Sequence, residues 1–130
     1  MNRYDTCERT LEQLQLRRPD ERLLQQVSMA VEQMMGQEAP NVESVARRME
    51  MPVSTLRRRI KSATTLTAAD FITTLRMRRA LELMEWWPEV TMAQVARQCG
   101  FADGTHLAHV FKRLFGTSPS HYLKALEKNR

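Results

Sequence analysis

VARRMEM (45–51) and VARQCGF (95–101) decide how this chain is read. A shift of 50 residues superposes them, placing Val45, Ala46 and Arg47 on Val95, Ala96 and Arg97. With one extra residue in the later copy the shift becomes 51 and pairs Leu56 with Leu107, Ile60 with Phe111, Lys61 with Lys112 and Phe71 with Tyr122. A self-match over about thirty residues marks one structural unit used twice.

Each copy reads as helix, tight turn, helix. In the second, Thr91 opens TMAQ, where its hydroxyl caps the helix and Gln94 reaches back, and Gly100 supplies the left-handed residue that ends it. Asp103 is the next N-cap, Leu107, Val110, Phe111 and Leu114 form an apolar stripe, and Gly116 stops the run. Ser118 and Pro119 open a last short helix whose Tyr122 and Leu126 fold back onto the core. The first copy has Asn41 as N-cap, Val42, Val45, Ala46 and Met49 as its buried face, a turn at Glu50 to Pro52, and a second helix from Val53 to Ala63.

Between the copies, TAADFITTLRMRRALELMEWWP (67–88) reads as one helix, capped at Thr67 and ended by Pro88. At 1.5 Å per residue, about eighteen residues give a rod of about 27 Å. Trp87 follows Ala80, Leu83 and Met84 at core spacing, which leaves Trp86 outside as a partner contact. Ahead of the repeat, Leu23, Leu24, Val27, Val31 and Met34 define the buried face of a first domain helix, while Cys7, Leu11 and Leu14 mark a short amphipathic segment near the start. No stretch alternates apolar and polar residues between turn dipeptides. The expected fold is all-α, about seven helices in two helix-turn-helix subdomains: residues 1–20 a linker, 21–66 the first subdomain, 67–87 the connecting helix, and 88–130 the second.

The totals narrow the function. One ordinary domain fits in 130 residues, and a large enzyme does not. No apolar run approaches a bilayer span and the polar start is unlike a secretory signal, so the expected place is the cytoplasm, at the nucleoid. Cys7 and Cys99 match neither a disulfide framework nor a zinc spacing; His106, His109 and His121 give no paired ligand spacing, so neither metal nor cofactor is expected. No nucleophile, base and orienting carboxylate gather, and no phosphate-cradling glycine loop occurs, which argues against an enzyme. The net charge of +5 is uneven: residues 1–40 hold 5 basic and 7 acidic side chains, residues 41–130 hold 15 and 8. That skew suits a polyanionic partner.

Two short helices joined by a tight turn can set the second helix in the DNA major groove, and two such units on a rigid helix can occupy adjacent grooves about 34 Å apart. In STLRRRIK (54–61), Leu56 and Ile60 must face the core, so Ser54, Arg57 and Arg58 are expected at base edges. The corresponding second-copy positions are Gly104, Thr105, Ala108 and His109. Phosphate contacts, which fix register without reading sequence, are expected from Thr55, Arg59, Lys61 and Arg76, and from Lys112 and Arg113. Arg59 falls at the margin of the buried stripe and lays its stem on apolar neighbours.

The sequence resembles the AraC/XylS family of bacterial transcription regulators in its DNA-binding domain, from about Leu23 to Leu126. QVARQCGFADGTHLAHVFKRLFGTSPSHYL (94–123) carries most of the likeness, through Ala96, Gly100, Phe101, Phe111, Lys112, Phe115, Gly116, Ser118, Pro119 and Tyr122. TLRMRRALELM (74–84) adds Leu75, Arg76, Ala80, Leu83 and Met84. The resemblance implies two helix-turn-helix subdomains bridged by a long helix, bound to an asymmetric promoter site and activating transcription through RNA polymerase. Members commonly carry a further ligand-binding or dimerisation domain ahead of this one, which forty residues cannot form. The chain is therefore expected to be a stand-alone member controlled by its abundance or a protein partner, or a fragment. Glu50 and Thr65 stand where the family often has glycine; a left-handed backbone there is strained, so those helix ends are expected to be built differently or held less firmly. The competing reading is a protein-interaction module on the same scaffold, governed by a chaperone or antiactivator.

Overall fold

The computed structural model describes residues 20–128, with side chains through Ala125. The segment holding Cys7, Leu11 and Leu14, and the Leu126 side chain, lie outside that description. Seven helices follow one another: α1 (Asp20–Met34), α2 (Val42–Arg48), α3 (Val53–Thr64), α4 (Ala68–Trp86), α5 (Met92–Cys99), α6 (Gly104–Phe115) and α7 (Pro119–Lys128). There is no strand among the described residues.

The caps act as the sequence predicts. Asn41 Oδ1 accepts from the Ser44 amide at 2.8 Å, and Ser44 Oγ accepts from the Asn41 amide at 3.0 Å, which closes a capping box. Thr91 and Gln94 form the equivalent box at α5. Thr67, Asp103 and Ser118 accept from Asp70, His106 and His121 at the starts of α4, α6 and α7. Each cap satisfies one of the amides a helix start leaves without an internal partner.

The repeat is also a repeat of burial. Val45 and Val95, Ala46 and Ala96, Leu56 and Leu107, Ile60 and Phe111, and Phe71 and Tyr122 are all buried. The helices α3 and α6 each have 12 residues, in matching register.

Two cores result. The first joins α1, α2, α3 and the start of α4, through Val27, Val31, Met34, Val45, Leu56, Ile60, Phe71 and Leu75. The second joins the rest of α4 to α5, α6 and α7, through Met77, Leu81, Val95, Leu107, Phe111 and Tyr122. At about 100° per residue, Ala68, Ile72 and Leu75 share one side of α4, while Met77, Leu81 and Met84 share the opposite side. The long helix therefore turns one face to each subdomain in succession, with Arg76 between the two sets. Its 19 residues span about 28 Å.

Trp87 departs from expectation. It ends α4 at φ −130°, ψ 82°, and its backbone has left the helix, so its side chain leaves the stripe that Leu83 and Met84 continue. It is 45% exposed, and Trp86 is 90% exposed.

Glu50 and Thr65 correct a second expectation. Their φ values are 54° and 66°, matching Gly100 and Gly116 at 80° each. The first copy keeps the left-handed helix ends of the second and tolerates the strain. At Thr65 the surroundings hold the shape: its amide donates to the Lys61 carbonyl at 2.9 Å, and Lys61 Nζ donates to the Thr65 carbonyl at 2.8 Å.

Candidate nucleic-acid interface

In α3, burial of Leu56, Ile60, Ala63 and Thr64 fixes the inner side. Stepping about 100° per residue from these places Arg58 at the middle of the outer face, with Ser54 and Lys61 on one side of it and Ser62 on the other. All four are exposed. Ser62 escaped the sequence reading, although its spacing of four from Arg58 and eight from Ser54 puts it on the same line. Arg57 lies on the flank beside α2, where Arg57 Nη2 is 3.6 Å from Glu43 Oε1 and both side chains are largely in solvent. An exposed pair of this kind contributes about 0–1 kcal/mol, so it yields readily to another anion. Arg59 is half-buried on the other flank, as expected, and so is Thr55.

In α6, Leu107, Phe111, Leu114 and Phe115 are buried. Opposite them lie Thr105, His109 and Arg113, with Lys112 beside them, all exposed. These are the counterparts of Ser54, Arg58, Ser62 and Lys61. Ala108 is half-buried on the flank matching Arg57. Gly104 is placed elsewhere than expected: a Cβ on it would lie 3.0 Å from Met92 Cβ and 3.3 Å from the Met92 carbonyl carbon, so it faces the start of α5 and allows the two helices to approach closely. His106, exposed, is tethered: its Nδ1 accepts from the Ala102 amide at 3.4 Å and its ring sits edge-on to Phe101 at 5.5 Å.

The two outer faces differ in chemistry. That of α3 carries a guanidinium at its centre, with two hydroxyls and an ammonium around it. That of α6 carries an imidazole and a hydroxyl, with Lys112 and Arg113 at its C-terminal end. A guanidinium donates two parallel hydrogen bonds to guanine O6 and N7, whereas an imidazole makes one.

Arg76 corrects the phosphate expectation. Its guanidinium turns inward and is spent on backbone: Nε donates to the Cys99 carbonyl at 2.9 Å, Nη1 to the Pro40 carbonyl at 3.4 Å, and Nη2 to the Gly100 carbonyl. Its Cζ lies 3.9 Å above the centre of the Phe101 ring. Removal from water pulls its pKa below the usual arginine value, with the neighbouring Cys99 opposing the shift. Three of its five N–H donors are thus taken by carbonyls, and the guanidinium is held at the join of the two cores, away from the outer faces of α3 and α6.

A helix-turn-helix domain family matches residues 45–125, more than half of the chain. Among curated relatives, the Msm operon regulatory protein of Streptococcus mutans is 30% identical over 88 residues, 68% of this chain and 31% of its own length. The transcriptional activator RhaS of Escherichia fergusonii is 35% identical over 82 residues, 63% of this chain and 29% of its own. The chain thus spans about a third of the length of these relatives. Among solved structures, the C-terminal domain of AraT, a response regulator from Geobacillus stearothermophilus, superposes with a TM-score of 0.67 over 78% of this chain and 84% of its own. At 24% identity that likeness concerns the fold alone. The DNA-binding domain of the global transcriptional factor AdpA, solved with a target DNA, reaches a TM-score of 0.66 at 30% identity, over 82% of this chain and 95% of its own.

Proposed function

Because the chain belongs to the AraC/XylS family of helix-turn-helix, DNA-binding transcription regulators, we propose that it inserts α3 and α6 into adjacent major grooves of a promoter site and activates transcription there. One observation carries the reading. Two helices of equal length in matching register each turn a hydroxyl-and-cation face outward, and each belongs to a core built on a different half of α4. The AdpA domain, similar along nearly its whole length, binds DNA.

Arg58 reads guanine, Ser54 and Ser62 take neighbouring base edges or phosphates, and Lys61 holds a phosphate. Arg57 exchanges Glu43 for DNA on binding. In α6, Thr105 and His109 face the bases, Ala108 approaches a thymine methyl, and Lys112 and Arg113 neutralise phosphates. Thr55 and Arg59 lie at the edge of the first interface. With fewer bidentate donors, α6 discriminates less than α3.

Activation requires a protein contact as well, with RNA polymerase or a regulating partner. Trp86, the most exposed large apolar side chain of the described residues, supports a contact at the far end of α4. Action on bacterial promoters would place the protein in the cytoplasm; no described helix is long and apolar enough to cross a membrane.

The test is duplex affinity over a salt series for the wild type, Arg58→Ala, Lys61→Ala and Lys112→Ala. The reading expects affinity to fall steeply with salt, and each lysine substitution to lower the slope of log affinity against log salt by about 1. Absence of any duplex bound above background, with the substitutions silent, would favour a protein-interaction module instead.

A further inference from the structure

Arg76 stands between the last α4 residue of the first core, Leu75, and the first of the second, Met77. Its three acceptors belong to both subdomains: Pro40 closes the approach to α2, while Cys99 and Gly100 form the turn between α5 and α6. The same turn touches the first subdomain directly. At Gly100, with φ 80°, a Cβ would lie 2.9 Å from Pro40 Cδ and 3.1 Å from Ala39 Cα. Met35 packs against both cores. The subdomains therefore meet along a seam of 39–40, 76 and 99–101, and Arg76 is the charged group that bonds across it.

We propose that Arg76 is a positioning residue that locks the two reading helices at one fixed separation and rotation, so that the protein selects the spacing between its two DNA half-sites. This rests on the DNA-binding reading above. A helix alone resists bending of one unit against the other less well than a helix braced at a second point, and the α4 residues holding each core are different. A planar guanidinium opposes that motion by geometry: its donors point in set directions in one plane, and rotation of one unit against the other breaks bonds on one side. Phe101 beneath it fixes the plane. Two linked readers gain affinity from each other only while both fit at once, and a rigid link turns that gain into a sharp dependence on spacing.

The lock requires the guanidinium fork, and charge alone does not supply it. A lysine at 76 places three donors around one nitrogen on a flexible stem, without the set plane of the fork or its stacking over Phe101. A phosphate contact, by contrast, would be restored by lysine.

The test uses the full chain, a two-block duplex selected by the wild type, the same duplex with one base pair inserted or deleted between the blocks, and a duplex holding the α3 block alone. The wild type is expected to lose about tenfold or more for a single base-pair change of spacing. Arg76→Met and Arg76→Lys are both expected to flatten that profile to about threefold or less while binding the single-block duplex within about twofold of wild type. A second readout needs no DNA: with Cys7 replaced by serine, spin labels at Ser62→Cys and Ser120→Cys report the separation of the subdomains. The wild type should give one narrow distance distribution, and Arg76→Lys a broad one. Unchanged spacing profiles with an unchanged narrow distribution overturn the proposal, as does full rescue by lysine. A uniform loss on every duplex, single-block included, assigns Arg76 to folding or phosphate contact and also overturns it. If the wild type binds no duplex, the DNA-binding reading fails, and the spin-label distances alone decide whether the lock exists.

Discussion

Arg58, Arg57 and Arg59 are adjacent in sequence and have three different surroundings. Arg58 is central on the outer face of α3, Arg57 pairs with Glu43, and Arg59 is half-buried. Arg58→Ala is therefore expected to cost about 1–3 kcal/mol of binding to the best duplex and to relax preference at one guanine, read by a competition series varying that base. Glu43→Gln removes a carboxylate that competes with DNA for Arg57, and raises duplex affinity by a few-fold at low salt, an effect about 1 kcal/mol in size at most. Thr65 supports a stability prediction. A side chain held at positive φ costs about 1–2 kcal/mol, and glycine returns part of that to the unfolded chain as entropy. Thr65→Gly should raise stability by about 0.5–1 kcal/mol in urea denaturation, since the Lys61 bonds to the backbone of residue 65 survive the change; a loss would mean that the threonine side chain contributes more than its strain costs. Cys99, fully buried, has its thiol pushed by burial from 9.0 up to about 12. Folding thus favours the protonated form, a contribution complete below pH 9.0 and lost above it as the unfolded chain ionises first. Measured against Cys99→Ala, wild-type stability should decline between pH 9.0 and higher pH by up to about 1.4 kcal/mol per unit.

The helices themselves were largely legible in the sequence, because their ends are chemical signals. Asn41, Thr67, Thr91, Asp103 and Ser118 each cap the helix they were expected to open, and Gly100 and Gly116 end theirs. Removing one cap, as in Asp103→Ala, should cost about 1 kcal/mol and loosen the start of α6, seen as faster amide exchange at His106. The failures share a cause: helical spacing tells which residues lie on one side, but which way a side chain turns depends on packing partners far along the chain. Trp87 has core spacing and lies outside because the helix unwinds before Pro88. Arg76 looked like a phosphate ligand because the chain that brings Pro40 and Cys99 to it lies 36 and 23 residues away. Gly104 heads the reading helix yet faces inward, since no side chain showed which way it pointed. At Glu50 and Thr65 place in the repeat outweighs residue preference: both take the left-handed backbone of Gly100 and Gly116, and local strain does not prevent it.

At the scale of the molecule, a unit that cannot bury a large core by itself occurs twice on one helix, which supplies a different face to each copy. The reading surfaces are consequently unequal in chemistry and alike in frame. An asymmetric site, with one strongly and one weakly specified half, follows from that inequality. The central claim is that both faces read DNA together, and the most direct measurement is selection of bound sequences from a random duplex pool by the whole chain. The account predicts two short enriched blocks about ten base pairs apart, with guanine in the block lost on Arg58→Ala and weaker preference in the other. A single enriched block, or two blocks at no fixed spacing, would contradict it.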